Sequence, residues 1–393
     1  MRLIWTALCG AAAFAPGLAL AQSEIRAAVL RVDVQQVAPV SRLDLPPEDL
    51  GIAGGRVGTA DNATTGQFMG QSFTTAEVIA TPETAVAELQ KLIEGGTHFI
   101  VTLADAATTL QLADAAGDTA LLFNARATED RLRNEDCRAN LLHTAASDAQ
   151  LTDALAQFLM WKKWDEWFLV EGSRPEDTAL ADAYRRAAAK FGAEITESRV
   201  FEDTGGARST DSGHVQIQAQ IPVFTQRAED HDVVVAADAT GWFAAYLPYH
   251  TWEARPVAGS AGLRPQTWHP ASEAWGGTQF QSRFEKSAGR PAREEDYQVW
   301  EAMRALGEAA TRSQSGEFAT LAAYIRGPEL KLAAYKGQDL SFRDWDGQLR
   351  QPILLTSGPI TTSVSPQAEY LHQVTQLDTL GHDRAESKCM LTK

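Results

Sequence analysis

The side chains best placed for chemistry in this sequence are ionic, and they recur where short apolar runs end. Arg31 and Asp33 stand at the end of the run Ile25 to Val32. Ala104 and Asp105 follow His98 to Leu103, and Asn124, Arg126 and Thr128 follow Ala120 to Phe123. Further along, Glu171, Ser173 and Arg174 follow Trp167 to Val170. Asp238 and Trp242 follow Asp232 to Ala237, and Arg264 follows Pro256 to Ser260. Two chemistries fit these types. The guanidinium groups of Arg31, Arg126, Arg174 and Arg264 can clamp a carboxylated ligand through paired hydrogen bonds. The carboxylates of Asp33, Asp105, Glu171 and Asp238 can hold a hard cation through oxygen. As ordinary loop charges the same groups would pair with one another, and the sequence does not choose.

Catalytic patterns are missing. There is no HExxH, GxSxG, SxxK or P-loop, and His143, His214, His231 and His250 are scattered. Gly51 to Gly58 lacks the GxGxxG spacing of a dinucleotide loop, and a strand-like stretch follows it. Asp344-x-Asp346-Gly347 shares a fragment of an EF-hand without its closing glutamate, and reads as a hairpin turn. Trp161, Trp164 and Trp167 read as a helix end packed on the next strand. The expectation is a binding protein that is no enzyme and carries no cofactor. A net charge of -16 argues against nucleic acid and anionic membranes as partners.

The elements that would position the ionic groups alternate along the chain. Strands at Ile25 to Val32, Gln71 to Ala80, His98 to Leu103 and Ala120 to Phe123 flank helices from Pro82 and Asp105. Thr81-Pro82 starts the first helix and Gly95-Gly96 stops it. A second series opens at Ser147-x-x-Gln150, a capping box. It continues with strands at Trp167 to Val170, Glu194 to Phe201, Asp232 to Ala237 and Pro256 to Ser260, and helices at Asp177 to Phe191 and near Ser212 to Arg227. Helices near Thr278 to Ala288 and Glu295 to Ala310 and a hairpin around Leu340 to Leu355 complete the reading. The fold class is α/β: two Rossmann-like lobes with parallel sheets.

Residues 1–21 read as a cleavable export signal, with Arg2, the apolar run Leu3 to Ala13 and Ala19-Leu20-Ala21 before Gln22. That places the protein in the periplasm and leaves Cys137 and Cys389, an isolated pair suited to one disulfide. The expected division is 22–145 plus about 268–325 in a first lobe, 146–267 plus about 326–364 in a second, and a surface tail over 365–393.

The order of elements resembles the type I periplasmic solute-binding proteins, the branched-chain amino-acid receptor superfamily. The resemblance covers nearly the whole chain after the signal. Its pieces are Gly51 to Gly58 after the first strand, the double βα series, the late pair of helices, and "KKWDEWFLV" leading to a helix that ends "KFGAEI". Two further segments, "CRANLLHTAASDAQLTDALAQFL" from Cys137 and "QLDTLGHDRAESKC" up to Cys389, resemble the substrate-binding subgroup associated with pyrroloquinoline quinone (PQQ)-dependent alcohol dehydrogenase systems. The resemblance implies a monomer whose two lobes, joined by hinge crossovers, close on a small solute and deliver it to an inner-membrane ABC permease. The alternative is an accessory or sensor module that feeds no permease. Amino-acid receptors of this superfamily usually place a small hydroxyl residue where this chain has Asp105, and a small residue and threonine where it has Asn124 to Thr128. These departures point away from amino acids, towards PQQ or an organic acid on the arginines, or calcium or a lanthanide on the aspartates.

Overall fold

Strands buried on both faces need no polar alternation, and this explains the continuous apolar runs of the chain. The computed structural model describes residues 23–34, 39, 41, 44–202 and 216–391. The export signal with its cleavage point at Ala21, and His214, lie outside these residues. The first lobe is built from β1 (Ser23–Val32), α1 (Ile52–Met69), β2 (Gln71–Ala80), α2 (Pro82–Glu94), β3 (Phe99–Leu103), α3 (Ala106–Ala116), β4 (Leu121–Asn124) and β5 (Leu141–His143). Its sheet is parallel throughout, in the order β2-β1-β3-β4-β5. Val29, Val101 and Phe123 face one apolar core and Leu30, Ile100 and Leu122 the other.

Helix α1 departs from the sequence reading, which left Gly51 to Gly58 as a glycine-rich stretch. Glycine costs a helix about 1 kcal/mol relative to alanine. Here the lost propensity is offset by close packing. A Cβ on Gly54 would lie 2.0 Å from the carbonyl oxygen of Asp296, and one on Gly58 would lie 2.5 Å from Cβ of Met303.

The second lobe comprises α4 (Asp148–Trp161), β6 (Glu166–Gly172), α5 (Pro175–Phe191), β7 (Glu194–Phe201), α6 (Ile217–Phe224), β8 (Val233–Ala237) and β9 (Val257–Gly259). Its parallel sheet runs β7-β6-β8-β9. The capping box at Ser147 and Gln150 forms as expected. Trp167 is buried in this lobe's core, whereas Trp161 is exposed.

The chain then crosses between lobes. β10 (Arg264–Gln266) leads to α7 (Gly277–Ala288), α8 (Glu294–Ser313) and α9 (Phe318–Arg326), whose Phe280, Tyr297, Trp300 and Leu321 join the first lobe's core. β11 (Leu332–Ala333), β12 (Asp339–Phe342) and β13 (Leu349–Arg350) form a small antiparallel sheet, with Gly347 at φ 70° in the β12–β13 turn. β14 (Ile353–Ser357) pairs antiparallel with β10 on one side and with β15 (Ile360–Ser365) on the other. The sequence division gave all of 326–364 to the second lobe. Leu332, Leu340, Phe342 and Leu349 instead pack in the first lobe's core, and only from Ile353 does the segment join the second. The tail is fastened by the Cys137–Cys389 disulfide, which links residues 252 apart in sequence. Among the described residues no helix is long and apolar enough to cross a membrane.

Candidate functional site

Parallel sheets bring strand carboxyl ends and helix starts to one edge, where ligands of open α/β folds bind. On that edge the nominated carboxylates are already engaged. Asp105 caps α3, accepting from the amide of Thr108 at 2.7 Å and from its hydroxyl at 3.2 Å. Asp238 accepts from the amides of Trp242, Phe243 and Ala244 at 2.7–2.8 Å. Glu171 pairs with Arg185 at 2.8 Å, and Asp33 with Arg31 at 2.8 Å. No three His, Cys, Asp or Glu side chains among the described residues are grouped to hold a metal ion. The buried Asn124 caps its own loop, accepting from the amides of Arg126 and Ala127. The carbonyl of Thr128 takes the amide of Asp148 at the start of α4.

The arginines divide more sharply. Arg31 is buried, bidentate to Asp33, and bonded to the carbonyls of Glu48 and Leu50. Arg174 lies 5.5 Å over the ring of Trp242. Arg126 shares a cavity of about 380 Å³ with Arg31 and Asp33. Among the described residues its guanidinium makes one hydrogen bond, a long one of 3.4 Å to the carbonyl of Val32. Burial pushes the pKa of Arg126 down, because a desolvated cation loses its hydration. Of the opposing charges, Glu295 counters this most, ahead of Asp33.

Glu295 belongs to a second cavity, of about 660 Å³, with Glu294, Arg264, Gln266 and Thr356; Pro47 lines both cavities. Burial pushes the carboxyl of Glu295 up, while Arg126 pulls it down. Burial and the charge of Arg264 push His269, on the same wall, down. The second cavity runs between the first turn of α8 and the crossover strands β10 and β14. Glu294 ties these parts together, accepting from the amide of Thr267 at 2.6 Å and from Gln266 at 3.3 Å. Thr356 closes the set on Gln266 at 2.6 Å.

The structure therefore brings Arg31, Asp33 and Arg126 together and sets Arg264 in the adjoining space. Neither cavity includes Arg174, Asp238 or Trp242. These form a separate group with Asp177, whose carboxyl is pushed up by burial and by the charge of Asp238. Sequence reading missed Glu294 and Glu295. Three acidic residues opening a helix read as dipole partners; that this helix starts at the cleft is a fact of topology.

The sequence profile of the family described as periplasmic binding protein matches residues 73–359. The chain belongs to that family. Solved structures similar to this periplasmic binding protein carry the same fold at low identity. A branched chain amino acid ABC transporter periplasmic ligand-binding protein of Burkholderia xenovorans LB400 is 14% identical with a TM-score of 0.72, the match covering 94% of this chain and 100% of that one. A leucine-, isoleucine-, valine-, threonine- and alanine-binding protein from Brucella ovis, in a closed conformation, is 15% identical over 90% and 92% of the two chains, at a TM-score of 0.67. An R. palustris ABC transporter solute binding protein in complex with benzoate is 13% identical over 93% and 99%, at 0.64. No curated protein matches this periplasmic binding protein.

Proposed function

We propose that this protein is the periplasmic ligand-binding component of an ABC transporter, and that Arg126 holds a small carboxylate between its two lobes. Membership of the periplasmic binding protein family supports the role, and similar solved structures are of ABC transporter ligand- and solute-binding proteins. The observation that carries the ligand class is Arg126: five N–H donors, one long hydrogen bond among the described residues, and a cavity of about 380 Å³ beside it. A carboxylate there would gain charge-assisted hydrogen bonds, worth about 1.5–3 kcal/mol each. The cation reading has less support, since Asp33, Asp105, Glu171 and Asp238 already accept hydrogen bonds or ion pairs. Sequence resemblance adds PQQ and the organic acids of alcohol oxidation as carboxylates to try.

The test is a thermal-shift screen of the chain lacking residues 1–21 against amino acids, organic acids, PQQ, and calcium or lanthanum ions. A ligand at 100 times its Kd adds about 2.7 kcal/mol. We expect a carboxylate to raise the melting temperature by several degrees, and Arg126→Ala to abolish that rise. A response confined to the metal ions would overturn the carboxylate. Silence in every pool would favour an accessory or sensor role.

A further inference from the structure

A cavity of about 720 Å³ opens on the first lobe between α1, α7, α8 and the β11–β12 turn, and it shares no lining residue with the two cleft cavities. Its walls are aromatic. Tyr335 and Trp300 stack with centroids 5.7 Å apart and planes 27° from parallel. Trp275 is 53% exposed at the rim. Trp275 and Tyr335 both hold left-handed backbone, at φ 51° and 57°, a conformation that bulky residues rarely adopt and that clusters at functional sites. Gly337 lets the Trp275 ring lie flat on the chain, because a Cβ there would come within 2.5 Å of the indole.

The polar groups of this cavity favour an anion. Asp61 is neutralised by Arg283 at 2.9 Å and also accepts from the indole N–H of Trp300 at 2.9 Å. Arg283 lies 5.8 Å over the Tyr335 ring and donates to its hydroxyl. Among the described residues, the guanidinium of Arg304 bonds only to Oδ1 of Asn62, leaving donors unspent. Arg283 is spent on Asp61, and the buried ammonium of Lys336 is turned onto the carbonyls of Thr267 and Pro352, so Arg304 is the basic group the cavity offers to a ligand.

We propose that this cavity is a second ligand site that takes a planar aromatic carboxylate, its ring against Trp275 and Tyr335 and its carboxylate on Arg304. Aromatic faces reward a flat ring by offset or edge contact, and a guanidinium fork matches a carboxylate. A cationic aromatic would leave the donors of Arg304 unused, and an aliphatic acid would forgo the stacking. The inference does not rest on the cleft reading.

The probe is 2-naphthoate, titrated by calorimetry into the chain lacking residues 1–21. Wild type and Arg126→Ala should bind it alike. Trp275→Ala, at the exposed rim, and Arg304→Gln, which keeps an N–H donor for Asn62, should each weaken binding at least tenfold while melting near the wild-type temperature. Cyclohexanecarboxylate should bind at least tenfold more weakly than 2-naphthoate. Binding lost in Arg126→Ala but kept in Trp275→Ala would put the probe in the cleft and overturn the proposal. Equal affinity for the two acids, or no binding heat from wild type, would overturn it as well.

Discussion

Asp148 opens α4 with its carboxyl beside that of Asp130, and the two cannot ionise independently. Burial, then the charge of Asp130, pushes the pKa of Asp148 up to about 7. Asp130 moves the other way: its partners are His382 at 3.8 Å and the amide of Ala149 at 3.0 Å. The pair retains one proton into the neutral range. The folded pKa of Asp148 lies above its ordinary value of 3.8, so the native state binds more protons than the unfolded chain between about pH 4 and 7. Stability from this site is therefore greatest below pH 4 and falls as pH rises to 7. Asp148→Asn keeps position 148 uncharged at every pH and leaves Asp130 as the one carboxylate of the pair. Urea midpoints should show the variant gaining on wild type from pH 5 to pH 8, and parallel pH profiles would sink the assignment.

The elements the sequence disclosed are those whose signals are local. The capping box at Ser147, the Thr81-Pro82 helix start and the glycine stop at Gly95 all act within a few residues of the boundary they mark. Asp105 at the head of α3 is local in the same way, and its spacing to Thr108 suits a cap better than a ligand. Strand-end logic was enough to bring Arg31, Asp33 and Arg126 together. It could not foresee Glu295, which reaches the cleft from another part of the chain, nor α1, whose glycines are explained by a helix more than 200 residues away. The amide of Gly51 bonds to Oδ1 of Asp296, 245 residues on, and Gly54 packs against the same residue's carbonyl oxygen. Gly54→Ala tests this account of α1. Intrinsic propensity alone would stabilise the helix by about 1 kcal/mol. Overpacking against the Asp296 carbonyl should reverse the sign and destabilise the protein by roughly 1–3 kcal/mol. A variant with a higher denaturation midpoint than wild type would show that α1 and α8 are not held this close.

At the scale of the whole molecule the tail bridges the two lobes. Arg343 and Arg350, beside the β12–β13 turn of the first lobe, both bond to Asp378 at 2.8–2.9 Å. In the second lobe, Asp153 on α4 accepts from the amide of Gly381 at 2.8 Å, and Lys190 on α5 donates to the carbonyls of Thr379 and Gly381. Beyond these anchors Cys389 is locked to Cys137 of the first lobe. A crosslink between residues 252 apart acts mainly by restricting the unfolded chain, and removing a native disulfide typically costs about 2–5 kcal/mol. Replacing both cysteines by serine should therefore lower the free energy of unfolding by that amount. It should also separate the tail's ionic anchoring from its covalent one. If the bond serves only global stability, the amide of Gly381 keeps its native-state hydrogen-exchange protection, because Asp153 still holds it. If the bond also keeps the tail seated across the lobes, Gly381 loses protection while the amides of β1 and β3 keep theirs. The second outcome is expected. Asp153 has no exposed surface, and a carboxylate there keeps its charge only while Arg186, Lys190 and the tail amide stay in place.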